Sequence, residues 1–458
     1  MAKDDSKKRP HSNRPAASPP PADNNQPIPT GGPQFAESAP TPDPNQFTVK
    51  HGSDTAAYSI LDHEKGKLKP RPFPVAKDAE PVLTLAAALG PNGPSIESSI
   101  QAAGQLVFHA LGDTGNTKGP KDEGLVADKM VADFTDIHPQ NVPSFCYHLG
   151  DVVYSFGEAQ YYYDQFYDPY RDYPAPIFAI AGNHDGMVAP NSSTPTLDAF
   201  LKNFCTAGEE PHKTPEAGEL SRTAQIQPGV YFTFEAPFVR ILGVYSNCLE
   251  DPGIIAAEGE NYSYLGNAQL DFLKAALERI QKEQFTGAIL IAVHHPPYVA
   301  QIKQAQGDDT KNAGRHGGSP NMLKQIDAIC DAAGVWPHAI LSGHAHNYQR
   351  FTRSKGGRQT PFLVAGNGGH AITRLTKKGT PALRVPSAQS ALSDGTDSVV
   401  FENYDDQDFG YLRIIVNAHQ LRIEYHPQSD GEDAKTPDDF VTVDLAHRKL
   451  VHYQVAGA

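Results

Sequence analysis

Apolar and polar residues follow one rhythm along most of this chain and another after about position 348. Gln105–Leu111 (QLVFHAL) is a short apolar run that stops at GDTG. Ser144–Leu149 (SFCYHL) stops at GD, Ile177–Ala181 (IFAIA) at GNHD, Ala288–Val293 (AILIAV) at HHPP, and Ala339–Leu341 at SGHAH. Apolar runs of this length bounded by turn residues predict buried strands. Between them the spacing becomes helical: Val126, Met130, Val131 and Phe134 recur within Leu125–Ile137, and Leu270, Leu273, Leu277 and Ile280 follow Asn267. Leu323, Ile326 and Cys330 follow Ser319–Pro320, a serine N-cap with proline at the first helical position. Glu158–Tyr167 is also expected to be helical, and Tyr231–Glu235 with Val239–Tyr245 predicts a hairpin. After Tyr348 the pattern is mostly short strands: Phe362–Ala365, Val399–Phe401, Tyr411–Val416 and Leu421–Tyr425. There is no internal repeat. The order predicts an α/β fold in which two mixed β-sheets pack face to face and are sandwiched by helices. The middle of the chain alone also suits a doubly wound parallel sheet.

The N-terminus breaks from this pattern. Eleven of the 39 prolines fall in the first 50 residues, where the large apolar groups are Ile28, Phe35, Phe47 and Val49. So little apolar surface does not offset chain entropy, and residues 1–50 are expected to form a disordered Pro-rich tail. Residues 51–100 read as a linker and entry segment, 101–430 as the main folded domain, and 431–458 as a C-terminal extension.

Charge and composition narrow the function. Lys plus Arg number 39 against 53 Asp plus Glu, a net charge of −14. That balance argues against nucleic acid or an anionic membrane as a partner. It leaves room for a small anionic substrate, because a bound metal supplies positive charge outside the count. No apolar run approaches the roughly 18 residues of a membrane span, and no apolar segment follows the basic Lys3, Lys7, Lys8 and Arg9. Cys146, Cys205, Cys248 and Cys330 form no C-x-x-C pair and are expected to be thiols. A cytoplasmic location is the default expectation.

The five strand ends carry the candidate chemistry. They present Asp113, Asp151, Asn183–His184–Asp185, His294–His295, and His344 with His346, each next to glycine or another turn residue. A single GD or H-x-H is ordinary turn or surface chemistry. Five apolar strands that each end in a metal-type ligand are not, since sites gather at the C-terminal ends of strands in α/β sheets. His109 and His148, inside strands, read as hydrogen-bonded core or supporting residues. Tyr161, Tyr162, Tyr163, Phe166, Tyr167, Tyr170 and Tyr173 read first as core packing. Lys118, Arg315 and Arg350 are candidate phosphate-steering charges.

The ordered motifs GD-x-G, GD-x-x-Y, GNHD, V-H and GH-x-H resemble the calcineurin-like metallophosphoesterases. Many members carry a histidine two residues after the first aspartate. Here that position is Gly115, and Tyr154 follows Asp151 by three residues. This exchange resembles the purple acid phosphatase branch, as do GRHGGSPNML at 314–323 and the closing AGNGGH at 365–370. The resemblance covers roughly 100–430, which makes 101–430 the catalytic domain of a four-layer metallophosphoesterase fold. It implies two metal ions. Asp113, Asp151, Tyr154 and His346 would hold the first; Asp151, Asn183, His294 and His344 would hold the second, with Asp151 bridging. Two carboxylates and a phenol suit Fe(III), while an amide and two imidazoles suit divalent Fe, Zn or Mn.

The implied reaction is phosphate monoester hydrolysis on a small phosphorylated substrate. Metal-activated hydroxide would attack phosphorus in line with the leaving alkoxide, and His184 would protonate that alkoxide. Asp185 is expected to orient His184. His316 and Asn183 are the candidate substrate-binding residues, and His316 is also the next candidate acid. Specificity is expected in loops 186–230 and 301–318. Two alternatives stand beside this reading: a phosphodiesterase of the same fold acting on cyclic nucleotides or glycerophosphodiesters, for which His-His-Pro-Pro is also at home, and a non-catalytic metal-bound interaction protein.

Overall fold

In the computed structural model the described residues are 69–452, apart from 77, 118, 189–192, 209–210, 301–315, 377–380, 390–396 and 433. The expected tail at 1–50 lies outside them, as do Lys118 and Arg315. The first part of the chain supplies β1 (Val82–Thr84), β2 (Gln105–Leu111), β3 (Cys146–His148), β4 (Ile177–Ala179), β5 (Phe232–Ala236), β6 (Val239–Val244), β7 (Ala288–Val293) and β8 (Ala339–Ser342). Its helices are α1 (Gly93–Ala103), α2 (Lys121–Ala132), α3 (Asp198–Phe204), α4 (Ala268–Lys282) and α5 (Pro320–Ala333). The second part is strands: β9 (Tyr348–Lys355), β10 (Arg358–Ala365), β11 (Ser387–Gln389), β12 (Ser398–Asp405), β13 (Gly410–Asn417), β14 (Gln420–Pro427), β15 (Asp439–Asp444) and β16 (Lys449–Leu450).

These strands form two mixed sheets. One has nine strands in the order β1-β5-β6-β7-β8-β10-β9-β12-β11, the other seven in the order β16-β15-β14-β13-β2-β3-β4. Strand alternation explains how they pack. Along β7, Ala288, Leu290 and Ala292 join the core between the sheets. Ile289, Ile291 and Val293 point the other way, into the cluster that holds Phe272 and Leu277 of α4 and Leu323 and Ile326 of α5. Aromatic rings close the gap between the sheets. Phe108 stacks on Phe145 at 4.7 Å, and Phe234 of the facing sheet meets Phe145 at 4.9 Å and Phe178 at 4.4 Å. β2, β3 and β4 are parallel, with His109 opposite Cys146 and Cys146 opposite Ile177. β6, β7 and β8 are likewise parallel, with Ile241 opposite Leu290 and Leu290 opposite Ala339. The carboxyl ends of both parallel sets carry the polar motifs.

Three stretches differ in detail from expectation. The C-terminal extension expected from residue 431 on contributes a strand to the sheet. β15 pairs with β14 from Gln420 opposite Asp444 to Tyr425 opposite Asp439, and Val441, Val443 and Leu445 enter the inter-sheet core. Likewise β1 precedes residue 101 and pairs with β5, so the folded domain begins earlier than expected. Glu158–Tyr167 is helical as expected, though not α-helical: a 3-10 turn at Ala159–Tyr161 is followed by a wide π-type turn at Tyr163–Tyr167. That geometry turns the Gln165 amide inward, where it brackets the Tyr154 peptide: Tyr154 N–H donates to Oε1 at 2.9 Å and Nε2 donates to Tyr154 O at 3.1 Å. Ser319 does precede Pro320 at a helix start, but its hydroxyl makes no cap bond. It accepts the Gly253 N–H at 2.7 Å instead.

The cysteines are free. Among the described residues no helix is long and apolar enough to cross a membrane.

Truncating the chain after Asp430 tests the C-terminal strand. It strips β15 from β14 and uncovers Leu421, Ile423 and Tyr425, so the shortened protein should be insoluble or unfold without cooperativity. A wild-type melting temperature for the truncated chain would show that 431–458 is dispensable after all.

Candidate metal centre

Seven side chains meet where the two parallel strand sets end. β2, β3 and β4 deliver Asp113, Asp151 and Asn183 from one sheet, with Tyr154 on the segment after Asp151. β7 and β8 deliver His294, His344 and His346 from the other. Asp113, Asp151 and His344 have φ of 57°, 56° and 69°. That left-handed region is sparsely used by residues other than glycine, but Asp, Asn and His are enriched in it. Glycines make the close approach feasible. A Cβ on Gly182 would lie 2.1 Å from Asp151 Oδ1, and one on Gly343 would lie 2.5 Å from Asp113 Oδ2.

The β3 and β4 ends are locked by a reciprocal set of bonds. Asp185 accepts the N–H groups of Asp151 (2.9 Å), Val152 (3.1 Å), Val153 (3.3 Å) and Gly182 (2.8 Å). Asp151 Oδ1 in turn accepts the His184 N–H at 2.8 Å. Both Asp185 oxygens thus meet backbone N–H groups. His184 Nδ1 lies 2.8 Å from Ser155 O.

The ligand atoms then group in two. Around the first position, Tyr154 O–H lies 3.0 Å from Asp113 Oδ1 and 3.3 Å from His346 Nε2. Around the second, Asn183 Oδ1 is 3.0 Å from both His294 Nε2 and His344 Nδ1, and Asp151 Oδ2 is 3.3 Å from His294 Nε2. Ligand atoms of Asp113, Asp151 and His294 all fall within 4.8 Å of one another.

The donor chemistry fits cations. His294 Nδ1 lies 2.8 Å from Leu149 O, an acceptor, so the ring's proton sits there. A neutral His294 then points the Nε2 lone pair at two more acceptors, Asn183 Oδ1 and Asp151 Oδ2. Asp151 Oδ2 is buried without a hydrogen-bond partner. Acceptors do not stabilise one another, so a cation between these three atoms would satisfy them together. Taken alone, the protein groups recruit a proton. Burial favours a neutral His294, but the charges of Asp151 and Asp113 outweigh it and push the imidazole up to about 9. A cation between the same atoms would replace that proton.

The other histidines sort by their partners. Burial pushes His295 down to about 3, and its ring is held by Ser246 Oγ at 2.7 Å and Leu249 O at 2.7 Å, which leaves nothing for a metal. His148 bonds Thr114 and the Gly150 N–H, and His109 bonds Tyr173 and Asp133. His316 comes to the centre, with its ring 4.7 Å from that of His344 and 4.8 Å from that of His346. Arg350 does not come to the centre; its guanidinium is paired with Asp439. Tyr162, Tyr167, Tyr170 and Tyr173 are core.

Three residues at the centre were not among the candidates. His370 stacks on Tyr154 at 3.5 Å and 9°, with Nδ1 2.6 Å from Gly115 O. The glycine-rich turn AGNGGH was the signal for it. Glu250 Oε1 lies 3.8 Å from His184 Nε2, and Asp251 Oδ1 lies 3.7 Å from His344 Nε2. These two sit on a loop with no recognisable spacing.

The sequence model of a family described as calcineurin-like phosphoesterase matches residues 107–348, more than half of the chain. The chain is similar to "Probable inactive purple acid phosphatase 9" of Arabidopsis thaliana, 20% identical over 324 residues that make up 68% of this chain and 46% of that protein. It thus spans about half the length of that relative. Among solved structures it is similar to "GAP50 the anchor in the inner membrane complex of Plasmodium", at a TM-score of 0.45 and 14% identity, covering 74% of this chain and 89% of that one. It is also similar to "Structure of PhoD", at a TM-score of 0.42 and 13% identity, covering 77% and 73%.

Gly182→Ala tests the packing of the centre. Its new Cβ would overlap Asp151 Oδ1, so the variant should bind little metal while far-ultraviolet circular dichroism stays that of the wild type. Wild-type metal content in Gly182→Ala would mean that Asp151 is not held where the geometry puts it.

Proposed function

The chain belongs to the calcineurin-like phosphoesterase family, and on that footing we propose that it hydrolyses phosphate monoesters at a dinuclear metal centre, as an acid phosphatase of the purple type. The observation that carries the proposal is the convergence of seven metal-type donors in two groups that share Asp151. The relative in Arabidopsis is named as inactive; here every donor of both groups is present and faces its neighbours.

Asp113, Tyr154, His346 and Asp151 would hold one ion. Asn183, His294, His344 and Asp151 would hold the other. When bound, two such ions supply Lewis acidity, which acidifies water and offsets phosphoryl charge. Tyr154 points to the identity of the first. Burial and the charges of Asp113 and Asp151 hold its phenol well above the ordinary tyrosine value. Ionising it at neutral pH takes a strongly acidic cation, which favours Fe(III) there. The amide-and-imidazole set suits divalent Fe, Zn or Mn.

The residues around the ions supply orientation and protons. Hydrolysis needs water in line with the leaving alkoxide on phosphorus, and that alkoxide needs a proton. In its protonated form His184 donates Nδ1–H to Ser155 O, and its Nε2–H would pass to the leaving oxygen. Its ring is fixed against Tyr154, with centroids 4.3 Å apart. Glu250 Oε1 lies 3.8 Å from the same Nε2. His316 would bind a phosphoryl oxygen and is next in line as proton donor; its ring lies 4.7 Å from that of His344. Asn183 Nδ2 is buried without a hydrogen-bond partner, so it is the end of that amide able to meet substrate. A cleft of about 1010 Å³ is lined in part by Phe156, Asp185, Met187, Leu197, Lys202 and His212, and of the residues at the turns of the centre Asp185 alone borders it.

Turnover of a chromogenic monoester against its bis-ester tests the reaction class. The monoester should be the better substrate; a strong preference for the bis-ester would make the chain a phosphodiesterase, and inactivity on both with two metals bound would leave a non-catalytic metal protein. His184→Ala should keep its metals and lose roughly 10²–10⁴ in kcat on alkyl esters, the usual worth of a positioned acid. The loss should shrink on nitrophenyl esters, whose leaving group barely needs the proton. An equal loss on both would remove His184 from the acid role. Tyr154→Phe should lose the visible phenolate-to-iron absorption; a variant that kept its colour would exclude Tyr154 as the source.

A further inference from the structure

Asp251 touches two parts of the centre that are far apart in sequence. Its Oδ1 lies 3.7 Å from Nε2 of His344, on the turn after β8. Its carboxylate also accepts the N–H of Gly317, next to His316. His344 is buried and turns Nδ1, not Nε2, toward Asn183 Oδ1 at 3.0 Å. A ring that ligates through Nδ1 carries its proton on Nε2. That Nε2 is buried with no hydrogen-bond partner among the described residues, and leaving a buried donor unmet is costly. Asp251 Oδ1, the same oxygen that accepts the Gly317 N–H, is the carboxylate oxygen facing it, at 3.7 Å. A histidine's other nitrogen bound to a carboxylate is the usual device for fixing the tautomer and direction of a metal-binding ring.

We propose that Asp251 is a positioning residue for the second metal site: it sets His344 to ligate through Nδ1 and, through Gly317, fixes His316 over the same ion. The geometry favours one carboxylate serving both, since His316 has φ of 63° and stands ring to ring with His344. The residue acts through its neighbours and does not itself bind metal or substrate. This role rests on the dinuclear centre proposed above.

Metal retention, rather than turnover, is the readout. Metal-loaded wild type, Asp251→Ala and Asp251→Asn are titrated with a chelator while both metals and the visible band are followed. Asp251→Ala should release one ion at a 10–100-fold lower chelator concentration than wild type. The other ion and the Tyr154 absorption should be held as before, a selective loss that general destabilisation would not give. Asp251→Asn keeps an oxygen for the Gly317 N–H but loses the charge facing His344, so it should fall between the two. Asp251→Ala holding both ions as tightly as wild type would overturn the role while leaving the dinuclear centre standing. A wild-type chain that takes up no metal would overturn the centre, and this role with it.

Discussion

The centre depends on one buried exchange of hydrogen bonds between the ends of β3 and β4. Asp185 spends its carboxylate on four backbone N–H groups, three of them from the segment Asp151–Val153. Asp151 spends one oxygen on the His184 N–H and leaves the other buried without a hydrogen-bond partner. Two carboxylates this close and this buried oppose each other's ionisation. Burial and the Asp151 charge push Asp185 up to about 7, while His294 and His184 overcome burial to hold Asp151 well below the ordinary carboxylate range. The outcome is a division of labour: Asp185 shapes the backbone, and Asp151 supplies the shared negative charge. Each buried amide left unmet would cost about 1–3 kcal/mol, so the turn that carries the bridging ligand holds its shape before any ion arrives.

The rest of the fold serves to bring two such strand-end sets together. The inter-sheet core, with Phe108, Phe145, Phe178 and Phe234 at its middle, sets the sheets face to face. Asp113, Asp151 and Asn183 then arrive from one sheet and His294, His344 and His346 from the other. Neither sheet holds a complete ligand set for either ion. This arrangement ties metal binding to the packing of the two sheets.

Much of this was legible in the sequence because it is local. Each of the five strand ends is an apolar run followed within a few residues by a metal-type donor, with a glycine just before it in four of them. The alternation that splits Ile289, Ile291 and Val293 from Leu290 is equally local. What was misread or missed depends on geometry that spacing does not encode. Asp185 follows His184, and adjacency suggested contact. In the one-turn helix Asn183–Gly186, however, consecutive side chains diverge, so neighbours do not face each other. Glu250 and Asp251 reach the centre on an irregular loop after β6 whose path no periodicity predicts. β15 was different: DFVTVD at Asp439–Asp444 alternates as a strand should, and its signal was overlooked beyond the end of the recognised motifs.

The central claim is that Asp151 joins two cations held by donors from both sheets. Anomalous X-ray diffraction from metal-loaded crystals, recorded on either side of the iron and zinc absorption edges, tests it most directly. The account predicts two peaks about 3.5–4 Å apart, with Asp151 between them, Tyr154 and His346 on the iron-rich one, and Asn183, His294 and His344 on the other. A single peak, or two peaks that do not share Asp151, would contradict it.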